Sequence, residues 1–85
     1  MTTLYLVNQT TQVRQLPAIL SDGDSVLLCG DAVLAWQQNW PQQVSVHLLA
    51  EDTIARNLQP AASISTVDYA GFVELCSQSD KVTAW

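Results

Sequence analysis

Two cysteines, one histidine and a cluster of aspartates are the side chains through which this 85-residue chain could do chemistry. Cys29 closes the apolar run Ser25-Val26-Leu27-Leu28 and is followed by Gly30 and a helix start. In an α/β fold that position is the carboxyl end of a strand, where ligands bind. A helix N-terminus also lowers a thiol pKa, so a persulfide could be carried there. Against this, Asp31 follows closely and no Lys, Arg or His is near in sequence. Cysteine is also among the residues most often buried as small hydrophobes. The structural reading of Cys29 outweighs the reactive one, and both stay open at this point. Cys76 falls on an apolar helical stripe and reads as core. His47 alternates between Val46 and Leu48, as a hydrogen-bonded or edge residue of a strand does.

No second histidine is present for a metal site, and the cysteines have neither C-x-x-C nor zinc-type spacing. Neither thiol has a base near it in sequence. Gly23, Gly30 and Gly71 match neither a dinucleotide fingerprint nor a phosphate loop. Asp22, Asp24 and Asp31 surround one strand, and a solvated turn plus a helix cap explain them better than a metal does. The expectation is no catalytic residue, no cofactor and no metal, with Cys29 the alternative catalytic group.

The elements that would position these residues alternate. Thr3-Leu4-Tyr5-Leu6-Val7, Ser25-Val26-Leu27-Leu28-Cys29, Val44-Ser45-Val46-His47-Leu48-Leu49 and Ile64-Ser65-Thr66-Val67 are four strand candidates. Short apolar runs that alternate poorly suit strands covered on both faces, as in parallel sheets. Helical segments separate them, which argues for an α/β layer fold with right-handed crossovers. The last helix is the best patterned. Tyr69, Phe72, Val73 and Cys76 fall at i, i+3, i+4 and i+7, and Asp68 is placed to cap the first turn. Gly71 inside it costs on the order of 1 kcal/mol against alanine, which points to close backbone packing there. Glu51 and Asp52 open the preceding helix and Arg56 closes it, as the helix dipole favours; Asn57 and Pro60 end it. The helix from about Asp31 to Gln38 is short and stops before Trp40-Pro41. The first helix begins near Pro17 or kinks there, because proline removes a hydrogen bond and clashes with the preceding turn.

Size and composition restrict the function classes. The chain makes one domain, 1–85. With 48% hydrophobic and 13% charged residues, against about 25% charged in ordinary domains, so small a globule cannot bury all its apolar surface. The surplus marks an oligomer interface. Trp85 is the ring whose burial the chain does not explain, and aromatic anchors often dominate interfaces. Tyr69, Phe72 and Trp85 are therefore the interface candidates. The net charge is −5, with basic groups only at Arg14, Arg56 and Lys81. Three scattered cations cannot neutralise a phosphate backbone, which argues against direct nucleic-acid binding. No apolar run approaches the roughly 20 residues of a membrane span. The first residues lack the basic and apolar regions expected of a signal peptide, and on that expectation two cysteines fit a reducing cytoplasm.

Taken in order, several segments resemble the DsrH/TusB family of small sulfur-relay subunits. They are Ser21-Asp22-Gly23-Asp24 leading into Val26-Leu27-Leu28, then Asp31 with Val33. Next come Glu51-Asp52-x-Ile54-Ala55-Arg56-x-Leu58, Asp68-Tyr69-x-x-Phe72-Val73, and the closing Ala84-Trp85. The resemblance runs over nearly the whole chain. It implies a compact three-layer α/β/α fold of the DsrE/F-like type, here with a four-stranded, mostly parallel sheet. It also implies a non-catalytic subunit in a heterohexamer with TusC-like and TusD-like partners, passing persulfide sulfur toward 2-thiouridine at the tRNA wobble position. A homodimer of the isolated chain is a further possibility. The alternatives are a sulfurtransferase carrying persulfide on Cys29 and a DsrEFH-type subunit of sulfur oxidation. Some DsrH-like proteins carry a cysteine in the first helix; this chain has none before Cys29, which favours the Tus branch. Pro17 and the compact stretch from Asp31 to Gln43 depart from longer relatives.

Overall fold

The computed structural model describes residues 2–13, 15–38, 40–61 and 64–84, with the side chain of residue 12 outside the description. Every strand anticipated from the apolar runs forms: β1 (Thr3–Val7), β2 (Ser25–Leu28), β3 (Ser45–Leu49) and β4 (Ser65–Val67). A fifth, β5 (Lys81–Ala84), pairs with β1 and makes the sheet five-stranded, where four strands were expected. β5 is short, and its apolar content is too thin to stand out beside the helix before it. The order is β4-β3-β2-β1-β5, and every neighbouring pair is parallel.

That order distributes the helices. From β1 to β4 the chain moves one strand at a time in a single direction, so right-handed crossovers put all the intervening segments on one face. The step from β4 back to β5 crosses the whole sheet the other way. Its helix, α3 (Tyr69–Gln78), therefore lies on the opposite face. The result is the three-layer α/β/α arrangement.

The first face holds the main core. Val7, Val26, Leu28 and Leu48 from the strands meet Val13, Leu16, Ala32 and Val33 from the helices above them. Trp36 and Trp40 lie half-buried against this cluster. The helical pieces over it are short. Pro17 splits the first connection into α1 (Thr10–Val13) and a 3₁₀ turn (Leu16–Ala18) in which the proline occupies the opening positions. There its missing N–H costs nothing. The second connection is also 3₁₀, Gly30–Ala35. The third, α2 (Ala50–Ala55), carries Glu51 and Asp52 in its first turn. It ends as expected at Asn57, which takes the left-handed conformation (φ 53°) and donates its N–H to the Ile54 carbonyl at 3.0 Å.

The second face is thinner. Leu4 and Leu27 are fully buried there, yet α3 contributes no buried residue of its own. Asp68 caps the helix as expected, accepting the Gly71 N–H at 2.8 Å. A β-carbon on Gly71 would stand 3.0 Å from Val67 Cβ, which is the close approach its presence implied. The apolar stripe differs from expectation. Phe72, Leu75, Cys76 and Ser79 are half-buried, whereas Tyr69 and Val73 are 56% and 63% exposed. The half-buried stripe includes Leu75 and leaves out Tyr69 and Val73, and one helix over five strands leaves its own flank in solvent. Cys76 is accordingly at the margin of the layer, not in a core.

Candidate functional site

The carboxyl ends of the parallel strands are where this architecture places ligands, and Cys29 stands there. Its N–H extends the β1–β2 ladder to the Val7 carbonyl at 2.9 Å, and its thiol donates to the same carbonyl at 3.4 Å. The next residue, Gly30, takes a positive φ of 55°, and a β-carbon on it would stand 3.4 Å from the Asn8 carbonyl oxygen. This tight turn brings the Gly30 N–H onto Asp52 Oδ2 at 2.7 Å. The carboxylate of α2 thus closes the loop that follows β2.

Arg56 completes the arrangement. Its guanidinium donates to Asp31 Oδ1 at 2.8 and 3.2 Å and to the Asp52 carbonyl at 3.3 Å. It also lies 3.8 Å from Asp52 Oδ1. The i,i+4 pair read from the sequence is therefore the weaker of its two carboxylate contacts; the stronger one ties α2 to the segment after Cys29. Asp31 is mostly exposed, so this pair contributes at most about 1 kcal/mol. Its consequence is positional: the Arg56 cation is committed to carboxylates of α2 and of the segment after Cys29.

The electrostatics at Cys29 run against nucleophilic chemistry. Partial burial pushes the thiol pKa above its ordinary value, and the Asp52 carboxylate pushes it further the same way. A thiol that donates a hydrogen bond beside an anion stays protonated, and the thiolate is the nucleophile. Among the described residues, the groups around Cys29 favour the neutral thiol.

The other sequence-derived residues lie apart. His47 shares its register with Ser65 across β3 and β4, and its Nδ1 lies 2.8 Å from Ser65 Oγ. Burial lowers the imidazole pKa. The pair joins an edge strand to the sheet, a contact invisible until the pairing of β3 with β4 is known. The three aspartates are not brought together. Asp24, 5% exposed, sits before β2 and accepts the N–H groups of Thr3 and Ser21 at 3.1 and 2.9 Å, while Asp31 lies beyond the strand's other end. Among the described residues no group of acidic, histidine or cysteine side chains is arranged to hold a metal. A shallow depression of about 290 Å³ is lined, among the described residues, by Thr10, Leu34, Ala35 and Gln38, none of which titrates.

Of the interface candidates, Tyr69 is exposed and Phe72 half-buried on α3. Trp85 lies outside the described residues, as does Arg14. Among the described residues no helix is long and apolar enough to cross a membrane. What sequence reasoning missed was Asp52 as the partner of Gly30. The available signal was an acidic residue in the first turn of the helix following the next strand, which puts it beside the end of β2 once the strands are parallel neighbours.

Comparison with known proteins bears on this arrangement. The family model described as DsrH like protein matches residues 7–82. Two solved structures share the fold. The solution NMR structure of protein Tm0979 from Thermotoga maritima superposes with a TM-score of 0.71 at 20% identity, over 88% of this chain and 91% of that one. The crystal structure of the ychN protein from E. coli superposes with a TM-score of 0.70 at 17% identity, over 100% of both chains. No curated protein gives a significant match.

Proposed function

The chain belongs to the DsrH-like family, and from that membership we propose that it is a structural subunit of a sulfur relay, holding partner subunits together without carrying sulfur itself. The observation that carries this reading is the state of Cys29. A sulfur carrier needs a thiolate to accept sulfur, and here the thiol is hydrogen-bonded to Val7, shadowed by Asp52 and driven toward its protonated form. The remaining cysteine, Cys76, sits on α3 with no cation adjacent to it in that helix.

In the finer form of the proposal the chain is the TusB-like member of a TusBCD-like heterohexamer. TusC-like and TusD-like subunits are its partners, and a cysteine of the TusD-like subunit carries the persulfide. The complex hands sulfur on toward 2-thiouridine at the wobble position of tRNA in the cytoplasm. An acidic chain suits a role in which tRNA contact falls to other components, and two free cysteines suit a reducing compartment.

One specific observation favours a second reading, persulfide carriage on Cys29: the residue stands at the strand end where the fold places ligands. The two readings separate in a reconstituted complex assayed for sulfur transfer. Cys29→Ser leaves transfer intact if the chain is structural. Near-total loss, with the complex still assembled, would make Cys29 the carrier.

A further inference from the structure

The first backbone N–H beyond Cys29 is that of Gly30, and the positive φ of this residue turns it onto Asp52 Oδ2 at 2.7 Å. A backbone N–H at the end of a strand favours an anion beside it, and here the anion is a side chain of α2. Its charge is only partly balanced. Arg56 makes its closer ion pair with Asp31, at 2.8 Å, and stands 3.8 Å from Asp52 Oδ1. The thiol of Cys29 meanwhile donates to the Val7 carbonyl, which commits its proton to the sheet.

The other charged groups at this end of the sheet are placed differently. Asn8 and Gln9, which follow β1, carry no charge. Asp31 is mostly exposed and paired with Arg56. Glu51 is exposed in the first turn of α2. Asp68 follows β4, which β3 separates from β2, and it is engaged in capping α3. Among the described residues, Asp52 is therefore the carboxylate bonded into the turn that carries Cys29.

Resting on the reading of this chain as a non-carrier, we propose that Asp52 silences Cys29, occupying the Gly30 N–H with its own negative charge so that an anionic sulfur is not stabilised at this strand end. Sulfur transfer to a thiol begins with loss of the thiol proton to solvent. The thiolate then attacks the outer sulfur of a donor persulfide. A new S–S bond forms, and the donor's S–S bond breaks with its electron pair leaving on the donor thiolate, so no oxidant or reductant is consumed. The attacking thiolate and the persulfide anion it becomes both place negative charge on the Cys29 side chain, and Asp52 opposes each of them. Deleting this one charge should turn a silent strand end into a reactive one.

The test is the pH profile of iodoacetamide alkylation of the full chain, read at Cys29 by peptide mass so that Cys76 is counted separately. Unchanged circular dichroism verifies the fold at each pH. Asp52→Asn keeps an oxygen for the Gly30 N–H and removes the charge. Its alkylation midpoint is expected to fall by about one pH unit. Below the midpoint that gives about tenfold more thiolate, offset by about threefold lower nucleophilicity, so the rate should rise about threefold. Glu51→Gln makes the same change of charge at the exposed neighbour and should leave the midpoint in place. An unmoved midpoint in Asp52→Asn overturns the inference, even where a loosened turn raises the rate. So does an equal shift in both variants. In either case a wild-type midpoint above 9.0 leaves the non-carrier reading standing, with burial keeping the thiol neutral. A wild-type midpoint below 9.0 counts against that reading itself, and the inference falls with it.

Discussion

Removing the Asp24 carboxylate should be among the most damaging single changes outside the apolar core. Its side chain is nearly buried, and its two oxygens are shared between the N–H of Thr3, at the start of β1, and that of Ser21, at the start of the turn into β2. Its own carbonyl accepts the Ser45 N–H at 3.1 Å, so three strand starts meet at this residue. Asp24→Ala leaves two partly buried N–H groups unpaired. Each hydrogen bond to a charged acceptor contributes roughly 1.5–3 kcal/mol. Allowing for water reaching the vacated site, the loss is about 3 kcal/mol. A chain of 85 residues has about 4–13 kcal/mol of stability in total. At about 4–8 °C per kcal/mol for a domain this small, the melting temperature should fall by roughly 12–24 °C. Asp24→Asn keeps the shape but turns one amide N–H₂ toward a backbone donor, so it should lose about half as much. Exposed Asp22→Ala is the control and should move stability by no more than about 0.5 kcal/mol. Thermal denaturation followed by circular dichroism reads all three. A fall of less than about 4 °C for Asp24→Ala would refute the claim that this carboxylate ties the strand starts together.

Other outcomes follow from single groups. Asp68→Ala removes the cap of α3 and should cost about 1 kcal/mol by denaturant titration; no change would mean that α3 is held by its sheet contacts alone. Cys29 has its folded pKa raised above the ordinary value of 9.0, so the folded state holds that proton more tightly than the unfolded one. The associated stability is complete below pH 9.0 and is lost as pH rises through the folded value, and Cys29→Ser should abolish that loss. His47 has its folded pKa lowered below 6.5, so folding opposes its protonation. The domain should therefore weaken as pH falls from 6.5 through the folded value, and His47→Gln should flatten that slope. A slope unchanged in the variant would place its source in the carboxylates.

The strands were legible because each is a short apolar run bounded by turn residues, and β1 to β4 fall within a residue or so of those runs. The caps were legible for a local reason: Asp68 and Asn57 act on backbone groups a few residues away. β5 was not, because Lys81-Val82-Thr83-Ala84 becomes a strand only through pairing with β1 at the other end of the chain. The stripe of α3 was half legible. Periodicity marks which residues are apolar, but which shoulder faces the sheet is set by tertiary fit, as in the close approach of Gly71 to Val67. The surroundings of Cys29 were legible only as far as Asp31. Asp52 and Arg56 reach it through the β2–β3 pairing, which spacing along the chain does not encode.

If this chain serves a sulfur relay without carrying sulfur, the persulfide must rest on a partner subunit. The most direct measurement is the intact mass of each subunit after the assembled complex has been charged with a persulfide donor and separated without reductant. The added mass of one sulfur atom should appear on a partner subunit and not on this chain. The same increment on this chain, lost on Cys29→Ser, would contradict the claim and make Cys29 the carrier.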